Sequence, residues 1–152
     1  MKNYSAKIIL ALLFLGAGGM TVVKAQVNDD AIFKINVPFA FQVRDKTMPA
    51  GEYIIRPSDA TGDANTILQI NNTKEKRYTA LFDSIPLSVD TAPLKSNVIF
   101  GKVNNKYYLS EVWEQNNTNG NQVEEPVSIK KLEKRGIKKE KQVIEAELSK
   151  KK

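Results

Sequence analysis

The chain has 152 residues, with 23 Lys and Arg against 17 Asp and Glu, and it contains neither His nor Cys. Without imidazoles and thiols, the sequence excludes a Ser-His-Asp or Cys-His nucleophile, a zinc site of the His and Cys type, and thiol redox chemistry. Acid and base groups are limited to carboxylates, lysines and tyrosines. We therefore expect a non-enzymatic protein without a cofactor, in one domain whose 41% apolar composition supports a modest core.

The N-terminal segment, residues 1–25, has the three-part pattern of a secretory signal peptide. Lysines precede an uncharged run over residues 8–23, and Val-Lys-Ala before Gln26 fits a cleavage site. An uncleaved membrane anchor is the alternative, but the run is short for a spanning helix and is interrupted by glycines. The pattern predicts export to the periplasm or the medium, and a mature chain that begins at Gln26.

The net charge is distributed unevenly along the chain. Residues 1–25 carry +3; residues 26–129, with ten basic and thirteen acidic residues, carry −3; and residues 130–152, with ten basic and four acidic residues, carry +6. The body is therefore mildly acidic, and the basic character belongs to the leader and to a C-terminal tail. Because the high pI does not reflect a basic folded surface, we expect no specific nucleic-acid binding.

Alternation with a period of two predicts strands through the body. Apolar residues occupy every second position over residues 33–43, which indicates one buried face, and Pro38 within this run suggests an edge position or a bulge. A further strand is predicted at 53–56 and a hairpin over 66–82. Residues 85–89 alternate next to prolines, so we expect a short edge strand there.

The last predicted hairpin has the clearest turn. Strands at 98–103 and 106–113 flank Asn104 and Asn105, which tolerate a positive φ and suit a type I′ turn. An unbroken register then places on one face Val98, Phe100, Tyr107, Leu109, Glu111 and Trp113. The other face is also apolar enough to be covered, so this hairpin is expected in the centre of a barrel or sandwich.

Composition changes after residue 114. Residues 115–125 are rich in Asn and Gln, which predicts a flexible linker between a β domain over 26–114 and a basic helical tail over 126–152. The tail either docks on the sheet as a solvated helix or attaches electrostatically to an anionic envelope polymer or lipid surface. Its lack of Trp, Tyr and Phe argues against membrane insertion. The lysines proposed for such a contact are Lys138, Lys139, Lys141, Lys150, Lys151 and Lys152.

Three motifs of this chain occur together: VPFAFQV at residues 37–43, MPAGEY at 48–53 and YYLSEVW at 107–113. In this arrangement the chain resembles a family of small exported bacterial β proteins of unassigned function. The likeness covers most of the predicted mature body, whereas the Lys-rich tail is longer and more basic than in that family. The resemblance implies a bacterial, signal-peptide-bearing β protein, and it brings no catalytic residues.

Few residues remain as candidates for a site. Glu111 is a candidate partly buried carboxylate, although the sequence shows no second carboxylate at the separation that a glycosidase needs. Tyr53, Tyr107 and Trp113 are candidates to line a carbohydrate or apolar pocket, but aromatic residues at strand spacing more often pack a core. Residues 59–65 place oxygen ligands at alternate positions, as calcium loops do, yet their order favours a surface turn.

Two functions stay open for an all-β fold, a small antiparallel barrel or sandwich of about six to eight strands with a C-terminal Lys-rich helix. The first is an exported, non-enzymatic module with a binding or structural role, whose tail contacts an anionic partner. The second is a carrier of a small apolar ligand or carbohydrate, or a weak carboxylate-dependent hydrolase, that uses the barrel interior. The carrier requires an enclosed pocket. Its lining would be Phe39, Phe41, Tyr53, Phe100 and Trp113.

Overall fold

The computed structural model of the protein describes residues 31–58 and 67–150. The predicted signal segment, the Asp-containing loop at 59–65 and the last two lysines lie outside the described residues. No helix within the described ranges is long and apolar enough to cross a membrane. The strands are β1 (Ala31–Val37), β2 (Phe41–Val43), β3 (Lys46–Met48), β4 (Gly51–Pro57), β5 (Ile67–Asn72), β6 (Thr79–Ser88), β7 (Asn97–Val103), β8 (Lys106–Trp113), β9 (Asn119–Val123), β10 (Glu140–Glu145) and β11 (Glu147–Lys150), and the helix is α1 (Val127–Glu133).

The predicted all-β class is confirmed, with more strands than expected. Neighbouring strands follow the order β10-β7-β8-β9-β6-β5-β4-β1-β11. Off this path, β2 pairs with β8, and β3 pairs with β2. The path is open, so the closed-barrel alternative is not supported. One pairing departs from the expected antiparallel arrangement, because β2 runs parallel to β8.

Two long segments of the chain each pair with one strand along their first part and with a different strand along their second part. The first half of β6 pairs with β5, and its second half pairs with β9. Similarly, β10 pairs with β7 and β11 pairs with β1, with Ala146 between them donating its amide to the Ser96 carbonyl at 2.9 Å. The strand expected at 85–89 is thus present over residues 85–88 with β9 as its pairing partner, but it continues the longer strand β6 and is not a separate short strand.

The core follows the period-two pattern that the sequence predicts. Alternate apolar side chains of β1 and β2 are buried. The edge position or bulge expected at Pro38 is instead a break between these two strands, consistent with its missing N–H. The Phe41 ring stands edge-on to the rings of Tyr53 and Phe100, with both pairs of centroids 5.1 Å apart. Direct ring-to-ring packing thus fills the centre of the core.

The β7–β8 hairpin has the predicted turn and the predicted initial register. Asn104 and Asn105 adopt φ of 48° and 61°, the left-handed values that a type I′ turn requires. Phe100 is paired with Leu109, as expected. The hairpin is also central, with β10 on one side and β9 on the other.

Beyond that point a β-bulge changes the face of every following side chain. Ile99 pairs with Glu111 while Phe100 pairs with Leu109, so Ser110 is an extra residue on β8. Val112 consequently joins the core, and Glu111 and Trp113 turn to the opposite, outer face of the sheet. The predicted placement of Glu111 and Trp113 beside Leu109 is therefore wrong, because one inserted residue reverses the alternation.

The Asn-rich segment is not simply a linker, because residues 119–123 form strand β9 between β8 and β6. Gly120 lies directly opposite Trp113, and a Cβ atom on Gly120 would lie 2.5 Å from the indole ring. The missing side chain of Gly120 therefore provides the space for the ring. Strand pairing on both sides overrides the local preference for a loop.

The predicted helical tail is also wrong for most of its length. Only Val127–Glu133 is helical among the described tail residues, and the chain continues as β10 and β11. Ile144, Ala146 and Leu148 pack against the core at a period of two. The spacing of Ile144 and Leu148 suits a helix as well as a strand, and the small Ala146 between them completes the strand pattern.

Candidate functional site

Two of the predicted site residues, Tyr53 and Tyr107, have packing roles. Tyr53 is fully buried, its hydroxyl donates to the Pro49 carbonyl at 2.6 Å, and burial raises its pKa. The Tyr107 ring stacks on Phe39 with centroids 3.8 Å apart. Neither residue is brought together with Trp113, which lies on the outer face. Of the residues expected to line an interior pocket, Phe41 packs directly against Tyr53 and Phe100, and the bulge places Trp113 on the other face of the sheet.

Glu111 and Trp113 are brought together on the outer face, with a lysine from the tail. The Trp113 Nε1–H donates to Glu111 Oε2 at 2.8 Å, and Lys141 Nζ donates to Glu111 Oε1 at 2.8 Å. The Glu111 side chain is 9% exposed, whereas that of Lys141 is 57% exposed. The buried carboxylate of Glu111 thus accepts one hydrogen bond from a neutral donor on its own strand, β8, and one from a cation on β10.

These residues line an open groove of about 300 Å³, which we call the outer groove. Asn97 contributes a buried Oδ1 atom that accepts no hydrogen bond from the described part of the protein. Trp113 is only 5% exposed, so little of its indole is available for a sugar ring to stack on. The lining residues are Val89, Thr91, Pro93, Asn97, Ile99, Glu111, Trp113 and Lys141.

The tail lysines divide into paired and unpaired groups. Lys130 contacts Glu124 at 2.8 Å, Lys139 contacts Glu125 and Glu133, and Lys141 contacts Glu111. Of the lysines predicted to meet an anionic partner, Lys139 and Lys141 are thus engaged within the fold, Lys138 is exposed, and Lys150 ends β11.

Four exposed basic residues lie in α1 and directly after it, and we call them the cationic surface. They form no ion pair within residues 31–58 and 67–150: Lys131, Lys134, Arg135 and Lys138. Their i, i+3, i+4, i+7 spacing would place them on one face of a continuous helix, but α1 ends at Glu133, so only Lys131 lies within it. Lys138 also lines an open polar groove of about 560 Å³ beside the turn residues Asn104 and Asn105.

A small second core fixes this cationic surface to the sheet. Ile129 of α1 is buried against Val103 and Tyr108. Above them, Glu125 accepts hydrogen bonds from Lys139 and from the Tyr108 hydroxyl, the latter at 3.1 Å. Burial raises the pKa of Tyr108 to about 12, so its hydroxyl stays protonated as a donor.

This network predicts a loss of stability in acid. Burial alone would raise the pKa of Glu125, but the hydrogen bond and charge of Lys139 outweigh burial and hold the pKa below the ordinary value of 4.5. A carboxyl whose pKa is lowered by folding stabilises the fold above its unfolded pKa, and that stabilisation disappears as the pH falls through the folded value. We expect the melting temperature to fall below about pH 4.5, and to fall less steeply in Glu125→Gln.

The matched control is Glu147→Gln, which neutralises an exposed carboxylate on β11. Melting temperatures of the wild type and both variants, measured between neutral and acidic pH, provide the comparison. Parallel profiles for the wild type and Glu125→Gln would contradict the assignment of Glu125 as an acid-sensitive anchor of α1.

Within the part of the chain that the structure describes, no cluster of acidic residues has the geometry of a metal site. No family model matches the chain, and neither a curated protein nor a solved structure matches it significantly. The described residues themselves provide two candidate sites, the cationic surface and the outer groove.

Proposed function

We propose that the chain is an exported, non-enzymatic β module that binds an anionic partner through the cationic surface. The observation that carries this proposal is the division of the tail cations. Lys130, Lys139 and Lys141 each face a carboxylate of the same molecule, while the cations of the defined surface face none in the described ranges. An array of uncompensated like charges opposes folding, and it supplies long-range attraction for a partner of opposite charge.

Fixation of the segment strengthens this proposal. Ile129 holds α1 against the sheet, and the Lys139 contacts with Glu125 and Glu133 hold the chain after it. The cations between these anchors are therefore presented in a defined arrangement and not on a free tail. A preorganised set of charges loses less conformational entropy on binding than a disordered one.

The partner that fits is a surface or polymer with closely spaced negative groups, such as an anionic envelope polymer or lipid headgroups. Residues 126–150 contain no Trp, Tyr or Phe, so attraction at the surface is favoured over insertion into a bilayer. Binding of this kind weakens as salt is added, because the Debye length is about 10 Å at 0.1 M ionic strength. Export, which the signal pattern predicts, would bring the module to such partners.

Deletion of residues 130–152, the simplest test for a free tail, is unsuitable for this fold. It would remove β10 and β11 and expose the strands β7 and β1 with which they pair. Loss of binding after that deletion would not distinguish a missing contact from a damaged sheet. Charge-neutralising substitutions on the surface are therefore required.

The triple variant Lys131→Gln, Lys134→Gln and Lys138→Gln tests the proposal. Each basic side chain near an anionic membrane contributes about 1 kcal/mol, so we expect affinity for anionic vesicles or polyphosphate to fall by about a hundredfold at low salt. Vesicle sedimentation and polyphosphate retention separate the lipid from the polymer source. Neutral phosphatidylcholine vesicles serve as the blank.

A matched control removes the same charge elsewhere. Lys34, Lys74 and Lys76 are exposed and lie in β1 and in the turn between β5 and β6. Their triple replacement by Gln is expected to leave binding close to that of the wild type. Two results would contradict the proposal. Equal weakening of binding in both triple variants would show that only the net charge of the protein matters. Unchanged binding in the variant of Lys131, Lys134 and Lys138 would show that these lysines do not contact the partner.

A further inference from the structure

We propose that the outer groove binds an aliphatic chain ending in an ammonium group, and that Lys141 is a displaceable internal ligand of this site. The inference is independent of the cationic surface, since it concerns a carboxylate and apolar walls on another part of the sheet. It rests on the surroundings of Glu111, on the groove beside it, and on the unequal burial of its two partners.

The carboxylate of Glu111 is the fixed half of the site. It is buried on the outer face, and its position is set by Trp113 two residues along the same strand, at 2.8 Å. Removing a carboxylate from water costs several kcal/mol unless a cation accompanies it. That cation is Lys141, whose exposed side chain comes from β10 and has four flexible methylene groups.

The groove continues from this ion pair with apolar walls. Val89, Pro93, Ile99 and Trp113 line it, and its volume of about 300 Å³ accommodates a short alkyl chain. An ammonium group is a compact cation with three donors, so it can replace Lys141 at Glu111 while its stem covers the walls.

Other ligand classes fit less well. The carboxylate repels anions, and the low exposure of Trp113 leaves little indole surface for a sugar to stack on. A guanidinium binds best when both carboxylate oxygens are free for a bidentate contact. Here Oε2 of Glu111 is taken by Trp113. A single point charge on an alkyl stem matches the remaining oxygen.

Two sources could supply this chemistry: a free alkylamine, or a lysine side chain of an extended peptide. Pentylamine and N-acetyl-lysine methylamide are the probes that separate them. Trp113 is the single tryptophan of the chain, so its fluorescence and its indole N–H resonance report directly on the site. Pentanoate, which has the same stem with the opposite charge, tests the selectivity.

We expect a saturable change of the indole signal when pentylamine is added to the wild type. In Lys141→Ala the internal competitor is absent, and we expect the affinity to rise by about tenfold. Lys102→Ala is the matched control, because Lys102 of β7 pairs with Glu140 of β10, the strand that carries Lys141, and does not line the groove. It should bind pentylamine like the wild type, and Glu111→Gln should not bind it.

Several results would overturn the proposal. A wild type that shows no saturable change at amine concentrations that saturate Lys141→Ala would reduce Lys141 to a structural partner. Equal affinities of Lys141→Ala and Lys102→Ala for pentylamine would show that Lys141 does not compete with the ligand. Stronger binding of pentanoate than of pentylamine would show that Glu111 does not select the charge of the ligand. If Glu111→Gln does not fold, as judged by circular dichroism, the comparison of the two lysine variants with the wild type still decides the outcome.

Discussion

Replacement of Phe100 by alanine is expected to lower the free energy of unfolding by about 3–5 kcal/mol. Phe100 is fully buried, and its ring is contacted edge-on by Phe41 at 5.1 Å and by Phe39 at 5.4 Å between centroids. Truncation removes the apolar transfer term and leaves a cavity between rings that cannot close without repacking. A loss of this size is a large fraction of the stability of a small domain without disulfides.

Urea denaturation followed by circular dichroism measures this effect. Phe39→Ala provides the control, because Phe39 is only partly buried at the break between β1 and β2. It should cost clearly less than Phe100→Ala. A loss below about 1 kcal/mol for Phe100→Ala would mean that the centre of the core is not the ring cluster described above.

Gly120→Ala is expected to destabilise the fold by about 1–3 kcal/mol, although alanine is normally the better strand residue. The new Cβ atom would lie 2.5 Å from the Trp113 ring. The ring cannot move freely, because Trp113 is buried and its Nε1 is bonded to Glu111. Denaturant unfolding gives the stability, and Trp113 fluorescence shows whether the indole has been displaced.

A double-mutant cycle tests whether contact with the Trp113 ring causes the destabilisation by Gly120→Ala. In the background of Trp113→Leu, the substitution of Gly120 should be nearly neutral, because the ring that it meets is gone. The same loss in both backgrounds would attribute the effect to the backbone of β9 and contradict close packing of Gly120 under the indole. The outcome also bears on the outer groove, since Trp113 forms one of its walls.

Local patterns in the sequence predicted much of the body. Alternation over residues 33–43 marked the buried face of β1 and β2, and Pro38 marked an irregularity, which is a break between the two strands and not the expected edge position or bulge. Asn104 and Asn105 predicted a turn that determines the register of the adjoining residues. Such features depend on residues close in sequence, which is why a single chain reveals them.

The remaining differences depend on contacts that are distant in sequence. Nothing in the composition around Ser110 signals the bulge, yet this one residue moves Glu111 and Trp113 from the core to the outer face. The strand β9 exists because β8 and β6 pair with it. Its Asn-rich residues have little strand preference of their own.

The roles of the tail lysines likewise depend on strand pairing that the sequence does not reveal. Ile144 and Leu148 are compatible with both helical and strand periods, and only pairing with β7 and β1 decides between them. Once the tail belongs to the sheet, Lys139 and Lys141 become internal partners of Glu125 and Glu111. The sequence could indicate a basic segment, but the division of its cations required the fold.

Titration of the isotopically labelled protein with polyphosphate, followed by the amide resonances, tests the central proposal most directly. We expect shifts centred on residues 131–138, with smaller changes at the paired Lys139 and Lys141, and we expect added salt to reverse them. Shifts centred instead on the outer groove or on the turn at 73–77, or no shifts at low salt, would contradict a role for the cationic surface in binding.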